Sequence, residues 1–227
     1  MTSFVAKSAP RHRAIALLMA LLVGACSSST ASTGPGASGA DGAACKTGKN
    51  APFAAPAGTP FTLPTGVTLE GGEMTGDVQQ NCGDQSFVEY GSDLISVCVG
   101  LRNTTGADIT VTIPAGTVFL VKDPAGQNGI ILQSHDLQVP AGQVAYFYFR
   151  PFCINEHCIY GRKEDRYTFG NVASDPKIAE LIALAKTKSL KPDSDALVAF
   201  GPSVWDITDG DGLTAEHRAQ IAMLPNQ

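Results

Sequence analysis

The pattern of hydrophobic and polar positions changes period along this chain, and the changes divide it. Residues 14–23 (AIALLMALLV) form one apolar run, whereas between about residues 60 and 150 the period is two. Ile95, Val97, Val99 and Leu101 alternate with Ser96, Cys98 and Gly100, and Ile109, Val111 and Ile113 alternate with Thr110 and Thr112. Such alternation predicts half-buried strands, and β-branched residues favour them. Val144-Ala-Tyr-Phe-Tyr-Phe149 is apolar on both faces, which predicts a central strand covered on each side. Further strands are expected at 67–70, 86–90, 117–122, 129–133 and 137–139. Pro-Ala-Gly recurs at 56–58, 114–116, 124–126 and 140–142, with Gly expected at the last position of a type I turn.

After residue 170 the period lengthens. Ile178, Leu181, Ile182 and Ala185 follow at helical spacing behind a cap at Ser174 or Asp175, with Pro176 in the first turn. Lys186 and Lys188 lie where the helix dipole favours cations. A second short helix is expected at 194–200, broken at Gly201-Pro202, and a third from a Thr214 cap to about Met223. The fold class expected is α+β: an antiparallel, Ig-like β-sandwich over 60–165, with a helical appendage over 166–227 packed on it.

The N-terminal run is too short for a membrane span, which takes about 20 apolar residues. Behind Lys7, Arg11 and Arg13 it suits the core of a signal peptide. It ends in Leu22-Val23-Gly24-Ala25-Cys26, which resembles the lipobox of bacterial lipoproteins. The resemblance implies a signal peptide over 1–25, cleavage before Cys26 and acylation of that cysteine. An ordinary secretory signal with an incidental Cys26 is the alternative. Ser27 follows where an aspartate would signal retention in the inner membrane, so the outer membrane is favoured if the bacterium has two. Residues 26–59 are rich in Ser, Ala, Gly, Thr and Pro and read as a disordered tether. Losing residues 1–25 takes the 16 basic residues to 13 against 21 acidic ones, and the net charge from −5 to −8. That balance repels phosphate backbones and disfavours nucleic acid as a partner.

Five cysteines follow the anchor, and after export they should oxidise. Cys82–Cys98 and Cys153–Cys158 are the favoured pairs, with Cys45 left over; Cys45–Cys82 competes, and spacing alone does not choose. Cys153-Ile-Asn-Glu-His157-Cys158 has one cysteine pair where a zinc site needs four ligands, so a disulfide loop explains it better.

Catalytic signals are sparse. Ser134-His135-Asp136 has the residue types of a triad, but chain neighbours point apart and form no relay. His135, His157 and His217 are the mature chain's histidines, and none adjoins a nucleophile-elbow pattern. The stretch 206–216 invites a calcium reading through Asp206, Asp209, Asp211 and Glu216. With Gly212 at the sixth place of an EF-hand loop, however, Ile207 and Arg218 fall where ligands are required. A Gly-rich turn before a Thr-capped helix explains it as well. Trp205, the only tryptophan, and Tyr146, Phe147, Tyr148 and Phe149 are expected to be core, with any exposed member a contact for a partner.

Phe152-Cys153-Ile154 and Val204-Trp205-Asp-Ile-Thr-Asp-Gly resemble segments of the thioester domains of bacterial surface adhesins. In that family the thiol bonds to a Gln side chain four residues before the Trp. Gly201 stands there in this chain, so the resemblance implies kinship of fold without the chemistry. The reading that follows is a lipid-anchored envelope protein, not an enzyme and without a cofactor. It would bind an envelope polymer or another envelope protein, or contribute to envelope structure. Thiol chemistry at Cys153 with His157, and a calcium-dependent or thioester-like adhesive module, are the alternatives.

Overall fold

The computed structural model describes residues 56–76, 82, 86–91, 94–154, 156, 158, 160–190 and 195–227. The signal peptide, Cys26, most of the expected tether and His157 lie outside the described residues. Twelve strands and three helices follow in chain order: β1 (Gly58–Pro60), β2 (Val67–Leu69), β3 (Met74–Gly76), β4 (Ser86–Tyr90), β5 (Val97–Asn103), β6 (Ile109–Ile113), β7 (Thr117–Val121), β8 (Gly129–Ile130), β9 (His135–Val139), β10 (Val144–Arg150), β11 (Phe152–Cys153), β12 (Arg166–Ala173), α1 (Pro176–Ala185), α2 (Asp195–Thr208) and α3 (Ala215–Met223).

The architecture is α+β, mostly antiparallel, in three layers. Ten strands form one sheet in the order β11-β8-β7-β12-β3-β5-β10-β4, with β1 added to β12 and β2 to β5. The β6–β9 pair makes a second, two-stranded sheet. One face of the large sheet packs on that pair. Val97, Val99, Phe119, Phe147, Phe149 and Tyr167 meet Val111, Ile113, Leu137 and Val139 in a core where most members are wholly buried. Phe119 is its hub, 5.3 Å from the Phe149 ring and 5.6 Å from that of Phe169. The helices cover the opposite face at the β7-β8-β11 end, where Val118, Ile130 and Phe152 meet Leu181, Phe200 and Ile221.

Several expectations need correction. Strand β12 occupies 166–173, the start of the expected helical appendage, and is interior, pairing with β7, β3 and β1. Its period-two signal is present, Tyr167 and Phe169 facing the core and Arg166 and Thr168 away from it. A register shift between Phe169 and Val172 interrupts the pattern. Gly58 and Thr59, read as the end of the tether, pair with Ala173 and Val172 in strand β1. β4 runs parallel to β10, the exception to the antiparallel pattern of the named pairs. β10 is interior, but it is not covered on both faces: Tyr146 stays 38% exposed.

Helix α2 runs through Gly201 and Pro202 instead of breaking there. Pro202 removes one backbone N–H and crowds the carbonyl of Val198 one turn earlier. The helix is packed on both sides of the proline, with Ala199, Phe200, Val204 and Ile207 buried. The buried Ser203 hydroxyl donates to the Ala199 carbonyl at 2.6 Å. The α1 and α3 caps are as expected, with Asp175 accepting from the Lys177 N–H and Thr214 from the His217 N–H. Among the Pro-Ala-Gly turns, Gly126 closes its turn at the fourth position, donating to Asp123 O at 3.0 Å. Gly116 and Gly142 instead sit third, at φ 87° and 66°, with Thr117 and Gln143 donating back to Pro114 and Pro140. Positive φ at the third position is the type II geometry, which selects Gly.

Gly76 shows how closely the chain returns on itself. Its N–H donates to Asp165 O at 2.8 Å, and a Cβ there would lie 2.0 Å from the Arg162 carbonyl oxygen. Both neighbours are backbone, so relief requires moving the 162–165 loop. We expect Gly76→Ala to lower stability by about 1–3 kcal/mol or more, read from the urea midpoint; an unchanged midpoint would mean that the loop yields freely.

Candidate functional site

The cysteines are arranged differently from the sequence expectation in one pair. Cys82–Cys98 forms as expected, with Cα atoms 5.4 Å apart, and the Tyr148 ring packs against it in a small buried cluster. Cys153 and Cys158 do not pair. Cys153 is a thiol, 3% exposed, on β11, where the ladder to β8 sets it opposite Gly129 and turns it into the core beside Ile95 and Tyr167. Cys158 is in a disulfide whose partner lies outside the described residues. Pairing with β8 commits the Cys153 side chain to the core, while Cys158, also buried, is bonded elsewhere. Burial of Cys153 also gives no favour to thiol chemistry there.

The other singled-out residues are dispersed. Ser134 Oγ accepts from the Ala115 N–H, the His135 ring packs edge-on to Phe149 at 5.9 Å, and Asp136 accepts from the Thr112 hydroxyl. Each faces a different neighbour, as adjacency in a strand dictates. The acidic loop does not converge on a cation. Asp206 Oδ2 meets His217 Nδ1 at 2.5 Å and the Thr214 N–H at 3.1 Å; Asp209 accepts from the Glu156 N–H; Glu216 meets Gln220. The Asp211 carbonyl is held by Lys177 Nζ at 2.7 Å. Among the described residues no three His, Cys, Asp or Glu side chains gather where they would share a metal ion. A hollow of about 250 Å³ lies beside this loop, lined by Trp205, Pro202 and the carboxylates of Glu156, Asp206 and Asp209. Trp205 packs partly buried against the aromatic core.

The larger concavity, about 590 Å³, is one that sequence reasoning missed. Glu73, Lys122, Asp123, Arg162, Glu164, Asp165 and Arg166 line it. Arg162 is its anchor: Nη2 donates to Asp123 at 2.5 Å and to Asp165 at 2.9 Å, while the Asp165 carboxylate also accepts the Arg162 N–H at 2.8 Å. Glu73 accepts from Lys122 and pairs with Arg166 at 3.2 Å. Beyond Glu73 on the same sheet face, Arg102 holds Glu70 through two bonds of 2.6 and 2.8 Å. The run Arg162-Lys-Glu-Asp-Arg166 was visible in the sequence as a charge cluster. Its partners are Glu73, after the turn at 70–72, and Lys122 and Asp123 just past β7, which nothing local reveals.

No family model, characterised protein or solved structure matches this chain.

The electrostatics agree with the geometry. A hydrogen bond from Lys122 holds the Glu73 carboxyl below its ordinary value, and one from Arg102 does the same for Glu70. Asp123 is lowered first by the Ala125 N–H and then by Arg162. Burial pushes the Tyr167 phenol up, and its oxygen has no hydrogen-bond partner among the described residues. For Asp206 burial works upward, but the bonds from His217 and Thr214 outweigh it and leave the carboxyl lowered.

A carboxyl lowered in the folded state contributes stability above its unfolded value, which is lost as pH falls through the folded one. The Asp206 contacts tie the end of α2 to the start of α3. We expect the wild type to lose stability as pH drops below about 4, the ordinary aspartate range. Asp206→Asn should unfold at a lower temperature at pH 6 and show a shallower acid loss, measured by thermal melts between pH 2.5 and 6. Parallel pH profiles for the two proteins would rule out this role for Asp206.

Proposed function

We propose that this chain is an exported lipoprotein, acylated at Cys26 and held at the cell envelope, whose folded domain is a non-enzymatic binding or structural module. The lipobox-like Leu22–Cys26, the basic residues before the apolar run and the Ser/Gly-rich stretch after it support export and anchoring. The observation that carries the reading is the Cys82–Cys98 disulfide, joined by the bond at Cys158. Such bonds persist in oxidising compartments and are reduced in the bacterial cytosol. No described helix is long and apolar enough to cross a membrane, so in this reading the acyl chains are the anchor.

The partner class is a cell-envelope polymer or another envelope protein. The mature charge of −8 disfavours nucleic acid. Ser27 after the acylated cysteine favours the outer membrane where there are two. Chemistry is disfavoured at the described residues because the Cys153 thiol is buried in a core and His135 and His217 face unrelated neighbours.

Protein purified from membranes without reductant should have the mass of a chain beginning at Cys26, plus acyl groups, minus the hydrogens of two disulfides. Cys26→Ser should shift the protein from the membrane fraction to the soluble fraction. An unacylated full-length chain in the soluble fraction would overturn the proposal.

A further inference from the structure

The helices cover only part of the outer face of the large sheet. On this face of β10, β5 and β3, Tyr148, Cys98 and Gly100 are buried but Tyr146, Arg102 and Thr75 stay exposed, and this strip of residues points to a ligand. Tyr146 on β10 stands opposite Gly100 on β5. A Cβ on Gly100 would come within 3.0 Å of the Tyr146 ring and 2.9 Å of Glu70 Cβ, so the missing side chain lets the ring lie down against the strand. Glu70 meets Gly100 from the other side, and Glu73 follows after the turn at 70–72, two residues before Thr75, which pairs with Cys98 on this face. From Glu73 the strip runs into the 590 Å³ concavity. Between Tyr146 and Lys122 it crosses four strand intervals, about 19 Å at ordinary spacing.

The charges on this strip are paired with one another. Arg102 holds Glu70, Glu73 takes Lys122 and Arg166, and Arg162 joins Asp123 to Asp165. These pairs largely cancel, so the strip offers an ionic ligand little net attraction. A polyanionic polymer is disfavoured further by the chain's net charge of −5. Paired guanidinium and carboxylate groups keep further donor and acceptor positions in fixed directions, which suits hydroxyl groups. An exposed aromatic ring at the end of such a strip offers a flat apolar surface to the C–H face of a pyranose.

We propose that this strip, from Tyr146 to the Arg162 concavity, binds a neutral hexopyranose polysaccharide of the cell envelope. The proposal narrows the partner class given above and rests on that reading for location only. Binding itself requires no acyl chain.

The test is calorimetric titration of the acylated, disulfide-intact full mature chain with three neutral oligosaccharides: cellohexaose, chitohexaose and maltohexaose. Polygalacturonate and chitosan serve as anionic and cationic comparisons. At least one neutral oligosaccharide should bind with Kd below about 1 mM, a modest free energy for a site of this size. Tyr146→Ala should weaken it at least tenfold, whereas Tyr146→Phe, which keeps the ring, and Met223→Ala on α3 should not. Thermal melts of each variant separate lost binding from lost folding, and if Tyr146→Ala unfolds, Tyr146→Leu, which keeps bulk but not the ring, takes its place and should weaken binding at least tenfold. Binding of the charged polymers alone, binding unaffected by Tyr146→Ala in a folded protein, or no binding by any neutral oligosaccharide overturns the proposal. Repeating the titration with Cys26→Ser separates the two readings, since glycan binding should survive loss of the anchor.

Discussion

Strand β12 holds the two halves of the large sheet together. On one side it pairs with β7, which continues to β8 and β11; on the other it pairs with β3, which leads to β5, β10 and β4. Removing it would separate the half that carries the helices from the half that carries the disulfide. Tyr167 and Phe169 point from β12 into the aromatic core, so one strand supplies both the backbone ladder and the side chains that fill the layer. The bulge after Phe169 belongs to the same design. Gly170 there passes so close to Leu120 that a Cβ would lie 2.8 Å from its Cγ. The bend also turns the chain toward β1 and the start of α1.

The same strand organises the polar side of the molecule. Arg166 on its outer face reaches Glu73, and the loop just before it carries Arg162 and Asp165. Asp165 is almost fully buried, and it tolerates burial because Arg162 satisfies it from both backbone and side chain. A buried carboxylate held this way is costly to leave unpaired, so the loop has one favourable position and the concavity beside it keeps its shape. Exposed pairs such as Arg102–Glu70 contribute little to stability, but they orient polar groups on a face that nothing apolar covers.

The helical layer solves a different problem. Its inner surface buries Val118, Ile130, Phe152 and Ile154 of the sheet beneath Leu181, Phe200 and Val204. Lys188 is drawn into this layer, where its ammonium donates to the Leu224 carbonyl at 2.7 Å, and Gln133 donates to the Ala185 and Lys188 carbonyls. These bonds close the ends of α1 and α3, whose last carbonyls have no partner within their own helices. Lys188 thus serves a carbonyl at the end of α3, although its position in the sequence pointed to the dipole of α1.

Local order sufficed for much of this protein. Alternation of apolar and polar residues placed β5 and β6, and an apolar run placed β10, to within a few residues, while Asp175, Pro176 and Thr214 marked two helix starts, because these signals act between neighbours in the chain. The Cys82–Cys98 pair was favoured as a link between neighbouring strands, but spacing alone did not choose it over Cys45–Cys82. What only the tertiary structure decided depends on partners far apart. The β8 ladder decided that Cys153 turns inward; burial of Ala199, Phe200, Val204 and Ile207 on either side of Pro202 holds α2 as one helix; and pairing with β7 and β3 made the short period-two stretch at 166–169 an interior strand. The concavity around Arg162 is the clearest case. Its charges come from residues 73, 122–123 and 162–166, and what makes them one site is the lateral pairing of strands, a contact that no periodicity encodes.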